Sequence, residues 1–544
     1  MLDEDVTRIP NYGIFKLIFY LTSLGRIFGA LGQTWCGKYY KEEHWGKSRT
    51  PYGSFQRGED PLGPLFAFQC VPRMQFYVEG DDCASSVSVL VDTLTTMTPL
   101  RHASPLPFPV ASITLSMTLR LLPRRQPFTL TCSAELESDS SANEMLVTSS
   151  PLFYLPSPTS GSATSIDRKT GALMTRAMNG TFQAVFPIGF YTDFGGYLAG
   201  NLSILDEIRS QGFNTVHPVP PFDNMTAFNA ILDRMEDLGL YLISYQDSES
   251  VSAQVKSLKH RKNLLLWYTA DEPDGPGDPL TATRAAYDLI HELDGYHPVS
   301  IALNCADHFF EDYVSGADII LPDVYMIGNN VTFSTKYNTP CTKDFGCCGC
   351  DDCEGRFEDV SKRLDEARNR LRILGWDKTK FIWAVTQAFG GEEFWSRPPT
   401  GREWLVQVLL SINHGARGIM PWIDPTPIDI KQYASTLAKL LPDLVPYFFD
   451  GEGSFTHITH GTVDVGIWTS GPRALVLATN MDTHASTFPL PYGEIKRGIL
   501  WLLREGVSLH STSALAFEPL GSAILILSHS EEVLKTVTLE HDEL

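Results

Sequence analysis

The sequence NLLLWYTADEPDG spans residues 263–275 and joins an apolar run to a group of acidic residues. The run LLLWYTA has the length and composition of a β-strand that is buried on both faces. Asp271 and Glu272 follow directly where that run stops, and adjacent carboxylates disfavour joint ionisation. The stretch therefore predicts a buried strand whose end forms either a solvated turn or a chemical site.

Seven similar apolar runs lie around this one between residues 183 and 448: AVFPIGFY, FNTVHPV, LYLISYQ, VSIALN, DIILPDVY, FIWAVTQ and RGIMPWI. Amphipathic stretches of helical period separate most of these runs. Several stretches end in glycine, as helix C-termini often do: Gly212, Gly239, Gly295, Gly375 and Gly415. The pattern predicts a closed (β/α)8 barrel, the TIM barrel. An open doubly wound sheet is the alternative, although no glycine-rich dinucleotide loop follows the first run.

The segments on both sides of the predicted barrel follow the two-residue period of strands. Residues 36–182 predict an N-terminal antiparallel β-sandwich, and residues 449–544 predict a C-terminal one. Residues 1–35 are predicted to be a signal, an anchor or a disordered segment. Their apolar stretch at 14–32 fits a signal-peptide core, a weak anchor or a packed helix, because acidic residues precede it and Arg26 interrupts it.

The composition limits the partners that this chain is expected to bind. Its 544 residues carry a formal net charge of −21, which argues against a nucleic-acid partner because phosphate binding needs basic patches. An acidic chain with 11% aromatic residues suits a neutral substrate such as a sugar. Apart from residues 14–32, no segment is apolar enough to span a bilayer. We predict no cofactor and no metal, and the sequence leaves the oligomeric state open.

The cysteines and sequons point to the secretory pathway. Five of the ten cysteines lie in CTKDFGCCGCDDC, inside an insert at about 327–355 that we expect to border the active-site mouth. Disulfides are the expected state, with zinc at the Cys350 and Cys353 pair as the alternative. Four sequons are present, at Asn179, Asn201, Asn224 and Asn330. The last four residues, HDEL, would retain the protein in the endoplasmic reticulum if it enters that compartment; otherwise secretion is expected.

Active sites of (β/α)8 barrels lie at the C-terminal ends of the strands. The polar and aromatic residues at those ends, or in the loops that follow, are the predicted substrate-binding residues: Tyr191, Asp193, His217, Asp247, Asn304, Tyr325, Gln387, Trp395 and Trp422. Carboxylates also cluster there, and glycoside hydrolysis needs two, one as acid and one as nucleophile or base. Adjacent residues of an extended strand point to opposite faces, so the partner of Glu272 should come from another strand.

The motif WYTADEP resembles the Asn-Glu-Pro ending of the fourth strand in the clan A glycoside hydrolases. This resemblance covers the barrel, about half of the chain, and implies that Glu272 is the catalytic acid/base. Two residues depart from the clan pattern. Asp271 replaces the usual asparagine, and Gln387 stands at the seventh strand end, where the clan has its nucleophilic glutamate.

Three sources of the second catalytic group therefore stay open. Asp323, at the end of the sixth run, is the preferred one, because acids on strands four and six resemble the pairing in the α-galactosidase-like clan. Glu392 or Glu393 could reach the site from the loop after Gln387. The Asp271–Glu272 pair is also similar to that of the hexosaminidase family, in which the aspartate orients a substrate N-acetyl group that attacks.

The expected function is that of a glycoside hydrolase on a barrel flanked by sandwiches, an arrangement that resembles fungal secreted glycoside-hydrolase-like proteins. The alternatives are a hexosaminidase-like enzyme with substrate assistance, and a non-catalytic carbohydrate-binding protein on a degenerate barrel, which Gln387 would favour. A glycan-trimming enzyme resident in the endoplasmic reticulum is a further alternative, which rests on HDEL.

Overall fold

The computed structural model describes residues 34–39, 53–80, 87–105, 112–116, 122–137, 144–177, 180–245, 250–490, 498–511 and 514–528. The apolar stretch at 14–32, the C-terminal HDEL, Asn179 and Asp247 lie outside these residues, and so do the predictions made for them. Within the described part of the chain, no helix is both long and apolar enough to cross a membrane.

The N-terminal region consists of short sheets. Its strands are β1 (Thr34–Trp35), β2 (Lys38–Tyr39), β3 (Leu65–Pro72), β4 (Tyr77–Val78), β5 (Val89–Thr96), β6 (Ala103–Pro105), β7 (Ser112–Ser116), β8 (Arg124–Glu137), β9 (Glu144–Leu155), β10 (Ser162–Asp167), β11 (Ala172–Ala177) and β12 (Gln183–Val185). Sheet β5-β3-β6 and sheet β4-β9-β8-β7 share a hydrophobic cluster that includes Phe66, Leu130 and Leu152. The predicted sandwich and its limits at 36 and 182 stay predictions.

The central region confirms the α/β class with parallel strands. Seven strands form one parallel sheet, in chain order: β13 (Gly189–Asp193), β14 (Thr215–Val219), β15 (Tyr241–Tyr245), β16 (Leu264–Ala270), β17 (Val299–Leu303), β18 (Ile319–Pro322) and, after the short pair β19 (Phe333–Ser334) and β20 (Thr339–Pro340), β21 (Phe381–Ile382). The run LLLWYTA is strand β16, with the predicted bounds.

Helices lie between these strands and after them. They are α1 (Ser203–Ser210), α2 (Met225–Leu238), α3 (Val251–Leu258), α4 (Ala282–Leu293), α5 (Phe310–Ser315), α6 (Glu358–Leu374), α7 (Gly401–Asn413) and α8 (Ile428–Phe448). A π-helical turn, Phe194–Leu198, precedes α1. The sequence pattern indicated α1, α2, α4, α6, α7 and α8; it did not indicate the eight-residue α3 or the six-residue α5.

The eighth apolar run joins both edges of the parallel sheet through isolated bridges. Ile419 pairs in parallel with Ile188 before β13 and with Ala384 after β21, and Trp422 pairs with Gln387. Pro421 lies inside this run and has no N–H to donate, which limits regular pairing there. The bridges place residues 419–424 between the first and the seventh strand.

The hairpin of β10 and β11 covers the end of the parallel sheet where the strands begin. Ile166 and Leu173 of this hairpin belong to the same hydrophobic cluster as interior residues such as Leu265. The hydroxyls of Thr175 and Tyr241, the first residue of β15, lie 3.0 Å apart. Because this end is filled by apolar side chains, the opposite end, where the strands stop, is the one available for a site.

The C-terminal strands form one antiparallel sheet of six: β22 (Ser454–His460), β23 (Val463–Ser470), β24 (Arg473–Asn480), β25 (Ser486–Pro489), β26 (Gly498–Ser511) and β27 (Ala514–Ser528). Trp468, Leu477 and Ile524 of this sheet share a core with Leu409 of α7 and Leu437 of α8. The sheet thus packs on the helices of the central region. A second sheet, which would complete a sandwich, stays a prediction.

Disulfides form as the cysteine pattern predicts. The four among the described residues are Cys36–Cys305, Cys70–Cys132, Cys341–Cys348 and Cys350–Cys353. Two of them lie within the insert between β18 and α6, and one of these begins at Cys341, directly after β20. The Cys350 and Cys353 pair of the alternative zinc site is oxidised, so its sulfurs bind each other rather than a metal.

Candidate active site

The chain turns sharply where β16 ends, and this turn separates the two adjacent carboxylates. Glu272 has a φ of +49°, in the left-handed region that non-glycine residues rarely adopt and that costs about 1–3 kcal/mol. The turn is closed by a hydrogen bond from the Gly275 N–H to the Glu272 carbonyl, 3.0 Å. Glu272 is buried, whereas Asp271 is exposed. The two carboxylates therefore occupy different environments.

Asn304, directly after β17, connects two of the predicted catalytic residues. Its Nδ2 lies 3.0 Å from Asp323 Oδ1 and 3.4 Å from Glu272 Oε1, so one amide group donates toward both carboxylates. All three side chains are at least nine-tenths buried. The pairing that the sequence favoured, between the ends of the fourth and sixth strands, is thus present as a contact through Asn304.

Trp35 of β1 binds the oxygen of the Asn304 side-chain amide. The indole Nε1 donates to Asn304 Oδ1 at 2.7 Å, which fixes the orientation of the amide. The next residue, Cys36, forms the disulfide with Cys305, and the Cys36 N–H donates to the Gly275 carbonyl at 2.9 Å. A cavity of about 600 Å³ lies beyond Trp35, toward the insert, and neither Glu272 nor Asp323 lines it. The β1–β2 hairpin is therefore a wall of the carboxylate site.

Asp274 holds the backbone of Asn304 and Cys305 through two hydrogen bonds. One carboxylate oxygen accepts the Asn304 N–H at 3.2 Å, and the other accepts the Cys305 N–H at 2.8 Å. Arg363 donates to the Asn304 carbonyl at 2.7 Å. Burial raises the pKa of the Asp274 carboxyl to about 7, while the two backbone N–H groups act in the opposite direction. Asp274 thus changes its charge in the neutral pH range.

An Asp274→Asn variant should lose a specific pH dependence of stability. Because the folded-state pKa lies above the ordinary value of 3.8, the contribution of Asp274 is fully present below about pH 4 and is lost as the pH rises through about 7. The full difference corresponds to about 4 kcal/mol. Urea unfolding at pH 4.5, 6 and 8 measures it. The stability of the wild type relative to the variant should fall with rising pH; a difference that does not change with pH would contradict this assignment.

Two predicted tyrosines face the carboxylates. Burial raises the pKa of Tyr191 and Tyr325 well above the ordinary value, and the charges of Asp271, Glu272 and Asp323 raise both further. Both hydroxyls are therefore close enough to the same three carboxylates to be affected by their negative charge. The hydroxyl of Tyr268, which lies on β16 three residues before Asp271, donates to Asp271 Oδ1 at 2.7 Å.

His217, at the end of the second strand, is packed among these rings. Its ring centre lies 4.4 Å from that of Tyr191 and 4.6 Å from that of Tyr268. Burial lowers its pKa to about 3, so the imidazole is neutral at physiological pH. No described residue forms a hydrogen bond with His217 Nε2. A buried polar atom of this kind costs free energy unless a partner from outside the described residues satisfies it.

Four other predicted residues form hydrogen bonds or ring contacts around the site. The side-chain amide of Gln387 pairs with the backbone of Ile327 through two hydrogen bonds of 2.9 Å, one accepted and one donated, so its polar atoms are engaged away from the acids. Trp395 Nε1 donates to the Tyr325 carbonyl at 2.6 Å. Trp422 lies 5.1 Å from the Tyr191 ring. Asp193 Oδ2 accepts the Gly196 N–H at 3.3 Å and so caps the π-helical turn.

Trp35, Asp274 and Tyr268 were not selected from the sequence. Asp274 is visible in the opening motif, two residues after Glu272, and could have been found as a third acid of the same turn. The Tyr268 hydroxyl sits in the apolar part of that motif, where its ring suggests only packing. Trp35 lies 269 residues from Asn304, and nothing local indicates that contact.

No protein-family model matches this chain, and no curated protein matches it. Among solved structures, a protein described as a glycoside hydrolase gives a TM-score of 0.45 at 11% identity, over 68% of this chain and 97% of its own. An α-amylase from Anoxybacillus gives 0.40 at 12%, over 62% and 91%. A debranching enzyme from Nostoc punctiforme gives 0.41 at 11%, over 60% and 88%. Because these overlaps are partial, we base the functional proposal on the side chains of the site.

Proposed function

We propose that this protein is a glycoside hydrolase whose barrel closes through residues 419–424. Glu272 acts as the acid/base and Asp323 as the nucleophile. The observation that carries the proposal is the Asn304 amide, which donates toward both carboxylates at one buried position. Two carboxyl groups on either side of a glycosidic bond are the minimum that this reaction needs.

We assign a retaining mechanism as part of this proposal. One nitrogen lies 3.4 Å from a Glu272 oxygen and 3.0 Å from an Asp323 oxygen, so the two acids are close neighbours, as in retaining enzymes, where the carboxyl groups lie about 5–5.5 Å apart. In a retaining reaction, Asp323 attacks the anomeric carbon while Glu272 protonates the departing oxygen. Glu272 then removes a proton from the water that releases the sugar from Asp323.

A neutral sugar fits the surroundings of the two acids. Tyr191, Tyr325 and Trp422 supply aromatic faces of the kind that stack on pyranose rings, and the exposed fraction of Trp422 is larger than that of the two tyrosines. His217 Nε2 offers a neutral partner for a sugar hydroxyl. The disulfides and the exposed Asn201, Asn224 and Asn330 support a place in the secretory pathway.

The experiment that tests this proposal is a hydrolysis screen. Purified protein is assayed with α- and β-linked 4-nitrophenyl glycosides and with neutral oligosaccharides, and proton NMR identifies the anomer released first. The double variant Glu272→Gln/Asp323→Asn, purified in the same way, controls for contaminating enzymes. We expect turnover by the wild type alone, with retention. Binding of oligosaccharides without any turnover would instead identify a carbohydrate-binding protein.

The hexosaminidase-like alternative also has a structural observation in its favour. The Tyr268 hydroxyl fixes Asp271 beside Glu272, and an oriented aspartate next to the acid is what orienting a substrate N-acetyl group requires. In that case N-acetylhexosaminides would be the only substrates cleaved. Asp271→Asn would then abolish turnover, whereas Asp323→Asn would leave much of it intact.

Trp35→Phe is expected to reduce kcat/KM about tenfold and to leave the melting temperature nearly unchanged. Phenylalanine keeps most of the packing but cannot donate to Asn304 Oδ1, so the amide can rotate away from the two carboxylates. A loss of this size corresponds to about 1.4 kcal/mol of transition-state stabilisation. Trp376→Phe, outside the site, is a matched control and should keep full activity. Equal activity of both variants would show that Trp35 does not position Asn304.

A further inference from the structure

A cluster of imidazoles and carboxylates lies where the C-terminal sheet meets the central helices, away from the proposed active site. His414 follows the last residue of α7, His457 lies on β22 and Asp464 on β23. The three donor atoms lie within 4.8 Å of one another. Residues from two parts of the fold that are far apart in sequence thus converge on one small volume.

Both imidazoles point the same ring nitrogen at one oxygen. His457 Nε2 lies 2.7 Å and His414 Nε2 lies 3.1 Å from Asp464 Oδ2. Asp464 Oδ1 is occupied separately, because Asn413 Nδ2 donates to it at 2.7 Å. Two Nε2 atoms and one carboxylate oxygen therefore lie together, and they are the donor set of metal sites with two histidines and one carboxylate.

The second ring nitrogen of His414, Nδ1, contacts a carboxylate, as the non-ligating nitrogen of a metal-bound histidine usually does. His414 Nδ1 lies 2.9 Å from Asp365 Oδ2 on α6. A carboxylate on this outer nitrogen keeps the proton on Nδ1 and leaves the Nε2 lone pair for a cation.

Size and access also fit a small cation. In tetrahedral zinc sites the ligand atoms are about 3.3 Å apart, close to the present contacts of 2.7 and 3.1 Å. Asp464 and His414 are buried, whereas the His457 side chain is 30% exposed and leaves one side of the cluster open. That side offers both an entry path and a fourth position for water.

We propose that His414, His457 and Asp464 bind one Zn²⁺ ion and that Asp365 orients His414. The ion would join β22 and β23 to the end of α7 and so fasten the C-terminal sheet to the central region. This proposal does not depend on the glycosidase activity, because none of these residues touches the proposed catalytic acids.

Zinc titration of the full chain tests the site. Protein treated with EDTA and returned to metal-free buffer is titrated with ZnCl2 by calorimetry, and its melting temperature is measured with and without Zn²⁺. We expect one ion per chain and a higher melting temperature with zinc. His457→Ala should weaken binding by at least about 100-fold. His460→Ala removes an exposed histidine from the same strand and should bind like the wild type.

Two further measurements separate this site from others. Asp365→Asn keeps all three ligands and should weaken zinc binding by about 10–100-fold, as loss of an outer partner usually does. Co²⁺ in place of Zn²⁺ should give visible absorption without the charge-transfer band of a thiolate ligand. Absence of zinc binding, equal binding by His457→Ala, or a thiolate band would each overturn the proposal.

Discussion

The Asp323→Asn variant is expected to lose kcat/KM by a factor on the order of 10⁴ or more if Asp323 is the proposed nucleophile, because an amide cannot form the covalent intermediate. The loss should be similar for glycosides with good and with poor leaving groups, since attack at the anomeric carbon is impaired in both. Asp323 is 3% exposed and its oxygen accepts from Asn304, so an amide of the same shape should keep the fold.

The role of Asp323 can be observed directly. A slow fluorinated substrate that traps the covalent intermediate should add the mass of one sugar to the peptide that contains residue 323. Glu393→Gln is a suitable control, because Glu393 is one of the alternative acids and lies 2.8 Å from Lys336 Nζ on the insert. We expect full activity in that variant. A label on Glu393 or Glu392 would mean that the loop supplies the nucleophile.

The Glu272→Gln variant should lose about 10³-fold in kcat/KM with poor leaving groups, within the usual range for general acid catalysis. The effect should be much smaller with 4-nitrophenyl glycosides in the first step, because that leaving group departs without a proton. The second step then becomes slow, since no base activates water. Added azide, which needs no base, should restore turnover and yield a glycosyl azide.

These two variants differ in a way that identifies each role. The loss of kcat/KM in Asp323→Asn should not depend on the leaving group, and azide should not restore its turnover. In Glu272→Gln the loss should depend on the leaving group, and azide should restore turnover. Equal behaviour of the two variants across the leaving groups would argue against the assignment of acid/base and nucleophile. A melting temperature close to that of the wild type must accompany each loss, so that misfolding is excluded.

The sequence predicts those elements whose formation depends on local pattern. Strand β16 appears with its predicted bounds because five consecutive apolar residues, followed by a β-branched threonine and an alanine, suit a strand buried on both faces. Six helices were predicted because their apolar residues recur with the period of an α-helix. Helix α5 was missed, because its six residues provide less than two turns of pattern. Among the described residues, β22 to β27 pair in one antiparallel sheet, and this pairing could not be predicted because the two-residue period of a strand does not indicate its neighbours.

The site was predictable to the extent that its residues end predicted strands. Glu272, Asp323 and Asn304 were selected for that reason, and the structure brings them together. Gln387 ends its predicted run too, although β21 stops at Ile382, and its amide pairs with Ile327, a contact that depends on how the insert folds back. The cluster of His414, His457 and Asp464 depends on the packing of one region on another, which no local pattern reveals.

The disulfide between Cys36 and Cys305 makes the central region depend on the N-terminal hairpin. A fragment that begins at residue 183 would contain every strand of the parallel sheet and both proposed catalytic acids, yet it would lack Trp35 and leave Cys305 without its disulfide partner. The central region is therefore not a self-contained unit. Its transfer into another protein, in evolution or in the laboratory, would have to include the distant N-terminal hairpin.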